Sequence, residues 1–190
     1  MSDMTLSLES FARTVSNEAR RISEDALYCY AGHAQEARSW ERLHLWMGIP
    51  TTILAAITGV TSFSDTGGSA LLLGLNSSIV VGVLAFTVAA LSGLSTYLDP
   101  KGQASKHYHA ATAYMALLND IRIFRQIDCA RPKDGDDLAE NLKKFNARLN
   151  ELNSQPIIIS IRAQRIGEKL IRAGRYAYQI DKEIQKSNGS

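Results

Sequence analysis

Four basic side chains near the C-terminus have the clearest chemical potential in this sequence. They recur at intervals of three and four residues, so a helix would place them along one flank. They are Arg162, Arg165, Lys169 and Arg172. Such a row could bind an anionic nucleotide or an acidic partner protein, and the simpler alternative is a solvated face beside anionic lipid. No glycine-rich phosphate loop accompanies the row, so it indicates an anion or partner contact without specifying the ligand.

Groups that could catalyse a reaction or bind a metal are scattered along the chain. His107 and His109 would lie on opposite sides of a helix, whereas Cys29 and His33 could share a face. Two isolated ligands favour ordinary packing over a metal site. The aspartates within residues 134–137 are better placed to cap the next helix than to act as paired acids. We therefore expect no enzyme, no metal and no cofactor.

The distribution of charge separates the chain into regions. The 21 Lys and Arg nearly balance the 19 Asp and Glu, so the net charge gives no reason to expect a nucleic-acid partner. From residue 43 to residue 98, however, Asp65 is the sole formally charged residue. This stretch holds two uncharged apolar runs of 21 residues, at about 43–63 and 78–98. Each would cross about 30 Å of hydrocarbon as a helix. The alternative, two helices buried in a soluble core, would need more chain to wrap them than 190 residues supply.

The flanking cations predict how this hairpin is oriented. Arg38 and Arg42 precede the first span, Lys101 and Lys106 follow the second, and residues 64–77 contain no Lys or Arg. Because cytoplasmic flanks carry the excess of cations, we expect both termini on the cytoplasmic side. The conformation of the connector stays open.

Small residues recur at helical spacing in both predicted spans and favour close helix packing. The proposed packing positions are Gly48, Thr52, Ala55 and Gly59 in the first span and Gly82, Ala85, Ala89 and Gly93 in the second. A leftover polar face could instead line a pore, comprising Thr51, Thr58, Thr61, Ser92 and Ser95. Two helices cannot enclose a water-filled path, so a pore would require a homo-oligomer.

The remaining segments predict long amphipathic helices. Residues 1–42 form one helix leading to the first span, and residues 99–190 form a helical domain. Breaks are expected at 99–102, at 132–135 and at Pro156, and the last helix is expected to reach Ile184. The fold class is thus an all-α membrane protein, a two-helix transmembrane hairpin whose long cytoplasmic helices form a bundle or short coiled coil.

This order of elements resembles the SLATT family, two-transmembrane effectors associated with SMODS and SLOG domains. The resemblance rests on Trp40-Glu-Arg42, on Tyr97-Leu-Asp-Pro100 and on the spaced residues His107, Ala111, Tyr114, Leu118 and Asp120-Ile121. It covers about residues 10–185. The resemblance implies a bacterial inner-membrane effector that oligomerises into a pore when an antiviral or nucleotide-signalling system is triggered.

Two functional hypotheses follow, and they differ in whether the membrane becomes permeable. In the first, the chain forms a gated homo-oligomeric pore, triggered by a sensor protein or a nucleotide signal. In the second, it is a non-conducting anchor or scaffold whose cytoplasmic helices dock a partner protein. The expected partners are therefore the lipid bilayer, further copies of the chain, and a sensor protein or nucleotide signal.

Overall fold

A computed structural model describes residues 2–63 and 77–176, and it describes the side chains of residues 7–60 and 79–176. All regular structure within those residues is helical, which confirms the all-α prediction at that level. The helices are α1 (Ser2–Phe63), α2 (Ser77–Leu98), α3 (Pro100–Ile123), a short π-helix (Phe124–Asp128), α4 (Gly135–Asn153) and α5 (Ile161–Arg172).

The described chain divides into two compact units, each of which we describe by itself. The packed unit comprises residues 1–37 and 105–190, and the apolar unit comprises residues 38–104. Most of the two segments that flank the predicted spans, 1–42 and 99–190, belongs to the packed unit, while residues 38–42 and 99–104 belong to the apolar unit. The hairpin domain predicted at 43–98 lies within the apolar unit.

Helix α1 joins two elements that the sequence treats separately. It runs for 62 residues through both the N-terminal amphipathic segment and the first predicted span, with Pro50 inside it. An internal proline removes one backbone hydrogen bond, and the rest of this long helix continues around that loss.

A single residue separates α2 from α3. Asp99 adopts a positive φ of 41°, and its Oδ1 accepts a hydrogen bond from the backbone N–H of Gly102 at 3.0 Å. Pro100 follows as the first residue of α3, the position where a missing N–H matters least. A Cβ at Gly102 would collide with the Asp99 carboxylate, so a larger residue there would displace this side chain from its hydrogen bond. The break predicted at 99–102 is therefore found at Asp99 alone, and residues 100–102 already belong to α3.

The packed unit has a core built from helices α1, α3 and α4 and the π-helix. Its buried members are Ala12, Val15, Ala19, Ala26, Tyr114, Leu117, Ile121, Phe124, Leu138, Leu149 and Leu152. The alanines of α1 let the other helices approach its backbone, while larger side chains fill the space between them. The Asp134 side chain accepts from the Asp136 N–H and caps α4, as the sequence predicts.

Helix α5 ends earlier than its sequence pattern predicts. It stops at Arg172, and Gly174 follows with a φ of 66°. Arg175 N–H donates to Leu170 O and Gly174 N–H donates to Ile171 O, which is the Schellman arrangement that terminates helices. The predicted continuation of one helix to Ile184 is therefore wrong at Gly174, and residues 177–190 lie outside the described part of the chain.

The apolar unit exposes its large side chains. Two helical stretches in the described chain are long and apolar enough to span a membrane, and the most apolar window of each is only 6% and 0% buried. The core helices of a soluble protein would be mostly buried, so these helices do not serve as the core of this chain.

Candidate functional site

The two helices of the apolar unit share an open crevice lined mainly by small side chains. Ala55, Thr58 and Gly59 of α1 line it together with Ala85, Val88 and Ala89 of α2, and its volume is about 310 Å³. The structure thus brings four predicted packing residues together: Ala55, Gly59, Ala85 and Ala89. They border a gap rather than a closed contact, so whether the helices pack through them stays a prediction.

The described glycines of the two predicted spans all face open space within one chain. A Cβ placed on Gly48, Gly59, Gly82 or Gly93 would meet nothing within 4 Å. Gly48 and Thr52 border a second surface groove of about 340 Å³, formed by α1 alone. The space beside these residues is sufficient for another helix to approach, which is the role of small residues in membrane helices.

Two of the hydroxyl groups proposed to line a pore, those of Thr51 and Thr58, bond to carbonyls of their own helix. Thr51 Oγ1 donates to the Met47 carbonyl at 2.6 Å, and Thr58 Oγ1 donates to the Leu54 carbonyl at 2.8 Å. Such bonds within a helix satisfy a hydroxyl in lipid as well as in a water-filled path. Ser92 is exposed and Ser95 is half-buried, while the side chain of Thr61 lies outside the described part.

The predicted basic row lies on the surface of α5. Arg162, Arg165, Lys169 and Arg172 are all exposed, and Arg172 pairs with Glu168. The opposite side of α5 packs closely on α1, because a Cβ on Gly167 would lie 3.0 Å from the carbonyl carbon of Ala31. This contact directs the row outward, so the row is accessible to an anion or to a partner, and that role stays a prediction.

A buried carboxylate links α1 to the start of α5. Glu36 is 9% exposed, and its Oε2 accepts from Ser160 Oγ at 2.5 Å and from Ser160 N–H at 3.3 Å. Ser160 is the N-cap of α5, where a negative charge is favoured by the helix dipole. The carboxylate therefore fixes the position of the helix that carries the basic row.

Two buried histidines meet within the packed unit, a pairing that the sequence analysis missed. The Nδ1 atoms of His33 and His107 lie 3.0 Å apart, and the rings are 5% and 4% exposed. One ring must carry its proton on Nδ1 and the other must not, so the hydrogen bond requires that at least one ring is neutral. Burial, followed by the charge of His107, lowers the pKa of His33 to about 4, and burial also lowers the pKa of His107.

Tyr114 extends this polar cluster toward α4. Its ring stacks on His33 with centroids 5.6 Å apart, and its hydroxyl donates to Asn153 Oδ1 at 2.8 Å. The same oxygen lies 3.8 Å from Cys29 Sγ, which can donate to it. Burial raises the pKa of Tyr114 to about 12 and also raises the pKa of the Cys29 thiol. At neutral pH both groups are protonated donors, suited to holding helices together rather than to nucleophilic attack.

His33 and Cys29 do share a neighbourhood, as the helical spacing suggests, but no metal set forms around them. Among the described residues, no group of three or more His, Cys, Asp or Glu side chains is placed to hold a metal ion. The chemistry open to the cluster is proton uptake by the histidine pair. Comparison with known proteins found no match: no family model, no curated protein and no solved structure matches the chain.

Proposed function

We propose that this chain is a membrane effector that homo-oligomerises into a pore and permeabilises the bacterial inner membrane when triggered. The observation that carries the proposal is the exposure of both long apolar helices, which also leave small-residue positions open. Lipid can cover the large apolar side chains. Close approach to the glycines, in contrast, needs another helix.

The number of helices supports assembly rather than a pore within one chain. Two helices cannot surround a water-filled path, so conduction requires several copies around an axis. In that assembly, Gly82 and Gly93 would allow neighbouring hairpins to approach, and hydroxyl-bearing residues such as Ser92 would face the path. The proposed topology has both termini in the cytoplasm, from the cations that flank the spans. The SLATT resemblance supplies the antiviral or nucleotide-signalling context.

The exposed basic row on α5 favours a second candidate, a non-conducting anchor or scaffold that docks a partner protein. Four cations directed outward, on a helix fixed by Glu36 and Gly167, form a surface that an acidic protein could bind. This candidate predicts that reversing the charges of the row abolishes partner binding, while the membrane stays impermeable throughout.

Efflux from liposomes distinguishes the two candidates. Purified full-length chain is reconstituted at increasing density, potassium and dye release are measured, and photobleaching steps of labelled chains count the copies per assembly. A pore releases both solutes from assemblies of several copies. Gly82→Leu and Gly93→Leu should alter the release, whereas Val83→Leu, on an already exposed apolar side chain, should not. Single copies without release at every density would support the anchor instead.

A further inference from the structure

The packed unit contains a cavity of about 400 Å³ that is lined by both basic and apolar side chains. It lies between α1 and α3, and the two residues that follow the Gly174 turn border it. Its volume is within the range of small-molecule sites, about 300–1,000 Å³. The basic row of α5 does not contribute to it, so this is a different surface from the one that the sequence pattern indicates.

Three arginines converge on the cavity from three parts of the chain. Arg122 belongs to α3, Arg125 to the π-helix, and Arg175 follows the Schellman turn at Gly174. The described residues that line the cavity include these three arginines and no Asp or Glu. Guanidinium groups bind phosphate and carboxylate oxygens through paired hydrogen bonds.

The local backbone explains how the arginines reach one site. The π-helix adds a residue to the turn, as its closing hydrogen bond from Cys129 N–H to Phe124 O shows, and such turns recur at functional sites. Arg125 Nε also donates to Ser16 Oγ at 3.4 Å, which links that side chain to α1. The positive φ of Gly174 turns the chain away from the axis of α5 immediately before Arg175.

The remaining described lining of the cavity suits a ring. Tyr30 and Tyr176 meet edge to face with centroids 5.4 Å apart, and the Tyr176 hydroxyl accepts from Gln35 Nε2 at 3.3 Å. Leu27, Met115 and Leu118 continue the apolar surface, and Ser23 and Asn119 add a hydroxyl and an amide. A ligand that fits this lining carries an anionic group for the arginines and a planar, partly apolar ring for the tyrosines.

We propose that this cavity binds a nucleotide-like ligand, with a phosphate on Arg122, Arg125 and Arg175 and a ring against Tyr30 and Tyr176. This proposal is independent of the proposed pore. Ligand binding to the cavity can be measured whether or not the chain conducts. Occupation of the cavity would hold together α1, α3 and the segment after α5, since each contributes a side chain to the ligand.

The test uses the full chain in nanodiscs of phosphatidylcholine, titrated calorimetrically with AMP, GMP, CMP and UMP. At least one monophosphate should bind, and its nucleoside and inorganic phosphate should each bind at least about tenfold more weakly, since each lacks one of the two groups recognised. Arg122→Gln and Arg175→Gln should each weaken binding by about tenfold or more. Arg20→Gln and Arg148→Gln, at exposed arginines that do not line the cavity, are matched controls that should leave binding unchanged.

The ring contact has its own pair of variants. Tyr176→Phe keeps the ring and should retain most of the affinity for the nucleotide. Tyr176→Leu removes the ring and should lose that affinity. Circular dichroism checks that both variants remain helical. Three outcomes would overturn the proposal: no monophosphate binds, inorganic phosphate binds as tightly as every monophosphate, or the control arginines matter as much as Arg122 and Arg175. Displacement of the nucleotide by phosphatidylglycerol in the nanodisc would reassign the arginines to a lipid headgroup.

Discussion

The two units of this chain place their apolar side chains in opposite ways. In the packed unit, Ile121 and Phe124 are 0% and 2% exposed. In the apolar unit, Trp46 and Phe86 are 81% and 76% exposed. Both units are helical and both come from one continuous sequence, so helix formation alone does not determine which side chains are buried. The exposed apolar side chains are those that lipid would cover if the apolar unit spans a membrane as proposed, whereas the packed unit buries its own.

This contrast also separates the forces that stabilise each unit. The packed unit removes apolar area from water and satisfies its buried polar groups, such as His33 and Glu36, with specific partners. The apolar unit satisfies its hydroxyls within single helices, as at Thr52 and Thr87, and leaves space beside its glycines. We therefore expect core truncation to damage the packed unit, and charge insertion to damage the apolar unit.

The largest expected effect is the loss of the buried Ile121 side chain. Ile121→Ala removes three carbon atoms from the core and should lower the free energy of unfolding of the packed unit by about 4 kcal/mol. Ile123→Ala, two residues further on the same helix and 50% exposed, should cost about 1 kcal/mol or less. Hydrogen exchange of α3 and α4 peptides in detergent, followed by mass spectrometry, measures both. Equal costs would mean that the assigned core is wrong.

The second prediction compares exposed apolar residues of the two units. Phe86→Arg should reduce membrane integration of the second span, because an arginine near a span centre costs about 3 kcal/mol. Ile127→Arg, at a position of the packed unit that is 60% exposed, should leave integration unchanged. Alkaline extraction of membranes measures the integrated fraction, with Phe86→Leu as the conservative control. If Phe86→Arg integrates like wild type, this surface does not contact lipid.

Sequence patterns predicted some of these features because their causes are local. The break at Asp99 and Pro100 and the cap at Asp134 depend on neighbours within three residues, which a sequence displays directly. The two apolar runs could also be identified from the sequence, because their length and their lack of charge do not depend on tertiary contacts. Helix α5 was extended too far because its apolar periodicity continues past Gly174, where the backbone turns instead.

Long-range pairings could not be found in the same way. His33 and His107 are 74 residues apart in the sequence, so no local pattern connects them and each is interpreted as an isolated histidine. The cavity arginines Arg122, Arg125 and Arg175 come from separate elements, whereas the exposed row of α5 forms a visible periodic pattern. Glycine is the one local feature that marks such a contact: Gly32 and Gly167 lie inside α1 and α5, where glycine is unfavourable, and a Cβ on either would come within about 3 Å of a neighbouring segment.

The third prediction is that acid destabilises the packed unit, which contains the buried histidines His33 and His107. Because burial and His107 lower the pKa of His33 to about 4, the unfolded state binds a proton more readily between about pH 6.5 and pH 4. Stability is therefore complete above about pH 6.5 and decreases as the pH falls. Between about pH 7.5 and pH 5, His33 should lower the free energy of unfolding by about 2 kcal/mol.

Substitution of His33 tests this origin. His33→Asn should remove most of the difference in stability between the two pH values, whatever it costs at neutral pH. His109→Asn, an exposed histidine of the same α3 helix that carries His107, should leave the difference intact. Hydrogen exchange of peptides from the packed unit at both pH values reports the result. A full pH difference in the His33 variant would assign the acid sensitivity to other groups.

The smallest expected effect isolates a single cap of the packed unit. The Asp134 Oδ1 atom accepts from the Asp136 N–H at 3.0 Å, so Asp134→Ala should destabilise α4 by about 1 kcal/mol. Asp137→Ala removes an equal charge from the first turn of α4 but no N-cap bond, and should cost only a few tenths of a kcal/mol through the helix dipole. Hydrogen exchange at the start of α4 separates the two. If the costs are equal, charge near the helix end rather than the cap geometry stabilises α4, and the accuracy of the sequence prediction at this position was fortuitous.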